Sequence, residues 1–129
     1  MHNVPGELKY TTAHTWVEEL GENKYRVGIT DFAQDELGDI VFVEPPELNR
    51  EYSQSDECAV VESVKSTSDI YCPLSGTILE INELLEDSPE TINSEPYNEG
   101  WVFIIQAVDN SELEELMNAE TYSELTEEG

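Results

Sequence analysis

The apolar residues of this chain come in short runs, each closed by a turn former, and that pattern constrains it to a small β fold. Trp16-Val17-Glu18-Glu19 and Tyr25 to Thr30 flank Gly21-Glu22-Asn23, so the spacing predicts a hairpin. Asp39 to Glu44 reads as a strand stopped by Pro45-Pro46. Cys58 to Val64, Ile70 to Cys72, Thr77 to Ile81 and Trp101 to Ile105 continue the series, with Pro73-Leu74-Ser75-Gly76 as a bend. The last run lacks alternation, which predicts burial on both faces. Thr30 caps a short helix over 31–37, with acid in its first turn and Gly38 just past its end. Glu47 to Glu57 is a polar stretch, and Asn82 to Gly100 is acidic loop with one helical turn near Leu84-Leu85. Many short strands with Gly and Pro turns predict a sandwich or barrel.

The period changes near the C-terminus. Ser111 caps a run with Leu113, Leu116 and Met117 at helical spacing, continued by Tyr122 and Leu125. A helical segment over about 111–126 is expected to pack against a β core of about 9–106. With no internal repeat and no low-complexity linker, residues 1–129 are expected to form one domain.

Charge narrows the choice of partners. The net charge is -25, so nucleic acid and anionic membrane surfaces repel the chain and its partners should present basic surface. No apolar stretch approaches the roughly 20 residues that span a bilayer. The N-terminus shows neither signal peptide nor transit peptide, so a bacterial cytoplasmic protein is expected, with a mature mitochondrial protein as the alternative. Cys58 and Cys72 lie in apolar runs and read as buried thiols rather than a redox or zinc pair. No nucleophile elbow, phosphate loop or zinc-protease motif is present. His2 sits near the terminus and His14 is the one histidine within the patterned region, which does not make a catalytic set or a metal site.

Lys65 is what remains. It lies in Glu62-Ser63-Val64-Lys65-Ser66-Thr67-Ser68-Asp69, a run that reads strand, tight polar turn, strand. No Lys or Arg follows it, against sixteen Asp and Glu from Ser66 to Gly129. An amine at a turn flanked by small residues is open to an enzyme that would modify it. Once acylated, it becomes a tether that carries a cofactor between active sites at high effective concentration.

That run resembles the lipoylation signature of the glycine cleavage system H-protein family. Leu8-Lys9-Tyr10, His14 with Trp16, Val27 to Asp31, Ala33-Gln34, Leu37-Gly38-Asp39, Val41-Phe42-Val43, Pro73 to Gly76, Ile92 to Tyr97 and Gly100-Trp101 follow the family in order and spacing. The resemblance runs from about Val4 to Glu128.

It implies a mainly β barrel-sandwich hybrid with a short helix, a C-terminal helix and lipoate in amide linkage to Lys65. It implies a non-enzymatic monomeric carrier. A pyridoxal-phosphate glycine decarboxylase (P protein) loads it with an aminomethyl group. A folate-dependent aminomethyltransferase (T protein) unloads it. Dihydrolipoyl dehydrogenase (L protein) reoxidises it, and a lipoate ligase or lipoyl transferase attaches the cofactor.

By position, the resemblance associates Glu62 and Gly76 with presentation to the lipoylating enzyme and places Asp69 near the arm. The resemblance also implies a pocket for the loaded arm, bordered by the positions of His14, Thr15 and Glu36. Thr15 and Glu36 depart from the family's usual residues, and Asn49 replaces a frequent glycine. A lipoyl carrier that relays cofactor to other complexes or serves another one-carbon pathway is an alternative. An acidic interaction protein with unmodified Lys65 is an alternative of a different class.

Overall fold

The computed structural model describes residues 4–108 and 110–127. His2 and Glu128, which the sequence reading includes, lie outside them. Nine strands form two antiparallel sheets among the described residues. The strands are β1 (Lys9–Tyr10), β2 (Thr15–Gly21), β3 (Lys24–Ile29), β4 (Ile40–Glu44), β5 (Glu51–Tyr52), β6 (Glu57–Ser63), β7 (Thr67–Tyr71), β8 (Gly76–Ile81) and β9 (Phe103–Ala107). The larger sheet has the order β1-β2-β3-β9-β8-β5 and the smaller β4-β6-β7. Their inner faces enclose one apolar cluster that includes Val27, Val61, Leu74, Ile78, Phe103 and Ile105.

The local signals act as chemistry predicts. The β2–β3 hairpin turns at Glu22 and Asn23, both with positive φ (55° and 64°), a pair of left-handed residues that matches the strand twist. Helix α1 (Asp31–Leu37) begins where the Thr30 hydroxyl accepts the Ala33 N–H and ends at Gly38, whose φ is 82°. Asn49 takes φ 64°, so the residue that replaces a glycine supplies the left-handed turn itself. Cys58 and Cys72 are both buried as free thiols. β9 is buried on both faces along Phe103, Ile104 and Ile105.

Other features differ from expectation. Thr67, Ser68 and Asp69 join β7 instead of extending the turn, because each backbone pairs with β6. The polar stretch after Pro46 yields β5, whose partner β8 is distant in sequence. The acidic loop contains α2 (Leu84–Asp87) and α3 (Thr91–Ser94).

The C-terminal segment is not continuous helix. A 3-10 turn (Asn110–Glu115) and helix α4 (Ala119–Glu127) are separated at Met117. The Met117 N–H donates to Tyr10 C=O and the Tyr10 N–H to Met117 C=O, at 2.7 and 2.8 Å. A backbone engaged in that bridge cannot extend a helix. Asn118 restarts it, its side chain accepting the Thr121 N–H at 2.8 Å. Tyr10, Trp16 and Tyr122 then form a second, aromatic cluster at that end of the molecule.

Candidate functional site

The β6–β7 hairpin carries Lys65 at its tip, exposed, in a turn of Val64, Lys65 and Ser66. Ser63 closes this turn. Its N–H donates to Ser66 C=O at 2.8 Å, and its hydroxyl oxygen accepts from the N–H groups of Lys65 and Ser66 at 3.1 Å each. The backbone of the tip is thus fixed while the side chain stays open.

A second set of bonds fixes the hairpin to the body. The Val64 N–H donates to Asp39 C=O at 3.0 Å. The Gly38–Asp39 segment is held by Asn93, whose amide donates to Gly38 C=O and to the Gln34 side chain at 2.9 Å each and accepts the Ile40 N–H at 2.9 Å. Gly38 also lies under the lysine: a Cβ there would stand 3.4 Å from Lys65 Cε. Nothing in the sequence assigns Asn93 this task. An Asn bonded to three residues of a stretch more than fifty positions earlier becomes visible only when the two are adjacent.

Beside the hairpin runs a groove of about 220 Å³ lined by Ala13, His14, Phe32, Ala33, Glu36, Leu37 and Ser68. His14 is fixed in it by unusual means. Its φ is 65°, its N–H donates to Thr11 C=O, and its C=O accepts the Thr30 N–H. Its ring centroid is 4.7 Å from that of Phe32. Nδ1 lies 2.7 Å from the Tyr122 hydroxyl, which is itself 2.7 Å from Thr30 Oγ1. Either direction of proton donation along this chain satisfies both contacts.

Burial lowers the His14 pKa, with the Glu36 carboxylate acting against it. Burial raises the Tyr122 phenol to about 12, with the Thr30 hydrogen bond opposing, so the hydroxyl keeps its proton. Tyr122 also stacks on Tyr10, centroids 4.7 Å apart and planes within 10°.

The residues that the sequence singles out fall into separate places. His14 and Glu36 share the groove. Thr15 does not line it: the side chain is 1% exposed and its backbone is paired with Ile29. Glu62 and Asp69 lie on the solvent face of the smaller sheet, opposite Ser68, because strand residues alternate sides.

Gly76 lies in the larger sheet at the start of β8. A Cβ there would come within 2.1 Å of Gln106 C=O, so its need for glycine is one of backbone packing. Phe32 and Ser68 complete the groove, and Tyr122 of α4, buried behind it, bonds to His14. Their signal in the sequence is only that of ordinary core, strand and helix positions.

A two-sheet β platform holding one lysine at a rigid, exposed hairpin tip defines a protein of the lipoyl-domain-like class. The profile described as "Glycine cleavage H-protein" matches residues 8–129. A glycine cleavage system H protein of Photorhabdus laumondii is 56% identical over 128 residues, covering 99% of this chain and 98% of that protein. One of Escherichia coli O7:K1 is 54% identical over 128 residues, covering 99% of each. A crystal structure of a glycine cleavage system H protein from Mycobacterium marinum superposes with a TM-score of 0.88 at 37% identity, covering 95% of this chain and 98% of that one. The chain belongs to the glycine cleavage H-protein family.

Proposed function

We propose that this protein is the lipoyl carrier of a glycine cleavage system, with the cofactor in amide linkage to Lys65. The observation that carries the reading is the exposed lysine at a braced hairpin tip, beside a groove, in a member of this family. The groove suits the group. Ala13, Phe32, Ala33 and Leu37 offer apolar contact to an acyl chain, and His14, Glu36 and Ser68 offer polar contact to what it carries. When attached, the lipoyl group supplies a reducible disulfide able to bear an aminomethyl cargo.

The chain's own residues position that chemistry. Ser63 and the Val64–Asp39 bond hold the point of attachment. Gly38, at φ 82°, turns the chain beneath the lysine stem, which lies within van der Waals reach of it. Glu36 places a carboxylate where a cationic cargo would rest, and His14, held neutral by burial, adds no opposing charge. The protein works as a carrier between the P, T and L proteins after a lipoate ligase or lipoyl transferase has modified it. Acting as a monomer in the bacterial cytoplasm accords with its high negative charge.

Glycine-dependent reduction of NAD with purified P, T and L proteins tests the reading. The lipoylated protein is expected to support turnover, and Lys65→Arg to keep its fold and lose at least about a hundredfold in rate, near 2.7 kcal/mol or more. Turnover by Lys65→Arg close to that of the wild type would overturn it.

A further inference from the structure

We propose that Cys58 and Cys72 form a site of reversible oxidation, closing an internal disulfide that staples the base of the β6–β7 hairpin. The proposal does not depend on what Lys65 carries. Taken one at a time, both thiols are apolar core filler, as the sequence predicts. Their relation to one another comes from the pairing of β6 with β7.

Register brings them together. Glu57 pairs with Tyr71 and Ala59 with Ile70, so Cys58 is an extra residue with no partner opposite it. Adjacent residues of a regular strand face opposite sides, yet Cys58 and Ala59 are 8% and 4% exposed. The bulge turns both inward. Cys72 continues β7 by one residue: its N–H donates to Asp56 C=O at 2.8 Å, and its C=O accepts the Ser55 N–H at 2.7 Å. Its side chain joins the same core cluster as that of Cys58. The thiols donate to backbone carbonyls close by, Cys58 to Ile70 at 3.5 Å and Cys72 to Leu74 at 3.1 Å. The two side chains are also in hydrogen-bonding contact with one another. Each cysteine is seven residues from Lys65, one on either arm of the hairpin. A bond between them closes the hairpin into a covalent loop with the lysine at its apex.

Access and acidity assign the roles. Cys72 lines an open cavity of about 470 Å³, together with Thr11, Ala13, Gln54 and Met117, so an oxidant the size of hydrogen peroxide reaches that sulfur first. The contact with Cys72, with burial adding to it, pushes the Cys58 thiol well above the ordinary thiol range. Cys72 therefore attacks and Cys58 resolves. In the first step the Cys72 thiolate attacks a peroxide oxygen. The S–O bond forms as the O–O bond breaks, and the departing hydroxide leaves as water with the proton that the thiol released. In the second step the Cys58 sulfur attacks the sulfenic sulfur of Cys72. The S–S bond forms as the S–O bond breaks, and the hydroxide leaves as water with the Cys58 proton. Two thiols lose two electrons in all, and one peroxide is reduced to two waters. An external dithiol reverses the change. A resolving thiol already in contact diverts the sulfenic acid from irreversible oxidation.

The test uses the full chain without lipoate, so its outcome leaves the reading of Lys65 untouched. The native protein is treated with hydrogen peroxide, free thiols are then blocked with N-ethylmaleimide in denaturant, and the product is mapped by non-reducing peptide mass analysis. The expected product is an intramolecular Cys58–Cys72 link, without maleimide on either residue, that dithiothreitol reverses. Its melting temperature should exceed that of the reduced protein by about 5 °C. Cys58→Ala should leave Cys72 as a sulfenic acid that dimedone traps, and Cys72→Ala should leave Cys58 reduced at the same dose. Circular dichroism confirms that the reduced variants are folded. Several results would overturn the proposal: maleimide on both cysteines after peroxide, a link between two chains rather than within one, or a link that leaves the melting temperature unchanged or lower. A dimedone adduct on Cys58 in Cys72→Ala would overturn the assignment of roles.

Discussion

His14 adopts a left-handed backbone at φ 65° and points its imidazole at a tyrosine hydroxyl 2.7 Å away. Burial disfavours the charged ring, so the folded protein holds the His14 pKa below its unfolded value. Between those two values the unfolded chain binds more protons than the native state. His14 therefore costs the protein no stability above the unfolded value of about 6.5, and an increasing amount as pH falls from there to the folded value. His14→Asn, which tolerates positive φ, removes that penalty. On going from about pH 7.5 to 5.5, the melting temperature of the wild type should fall more than that of His14→Asn. Parallel falls in both proteins would show that His14 does not titrate with folding. At this scale the sequence is most legible where one residue acts alone. Lys65 stands out by its isolation, Thr30 by capping chemistry and Asn49 by its tolerance of a left-handed turn. It is least legible where one residue acts through another, as with Asn93 or Tyr122. Thr15 illustrates the same limit: adjacent to His14 in sequence, it faces the core.

Helix α4 contributes more than a cover for the sheet. Its Tyr122 is fully buried, stacked on Tyr10 of β1 and bonded to both His14 and the cap of α1. The C-terminal element therefore braces one wall of the groove. Tyr122→Phe retains the stacked ring and removes only the hydroxyl, leaving His14 Nδ1 and Thr30 Oγ1 without that partner. It should lower stability by about 1–2 kcal/mol in urea denaturation, whereas Tyr122→Ala should cost about 3–5 kcal/mol. A Phe variant as stable as the wild type would mean that the hydroxyl contributes no net binding. Helical spacing announces this segment but not its interruption at Met117, because the bridge to Tyr10 joins residues far apart in the chain. The same reason hides β5, whose polar residues become a strand only when β8 lies alongside. The hairpins need no such help, since their turns carry the register locally.

The whole molecule is an acidic platform that presents the Lys65 amine at a braced hairpin tip. Two sheets enclose the core, and loops pinned by Asn93 and Ser63 hold the hairpin in a set position. The charge of -25 disfavours self-association and draws in basic partners, faster at low salt than at high. Fold class was readable from turn spacing, because short strands closed by Gly and Pro leave few alternatives. The division of the strands between the two sheets was not, because it rests on pairings between distant segments. The central claim is that Lys65 bears the lipoyl group. Peptide mass mapping after incubation with a lipoate ligase, lipoate and ATP addresses it directly. The account predicts one lipoyl group, confined to the peptide containing Lys65; an unmodified Lys65, or modification at Lys9 or Lys24 instead, would contradict it.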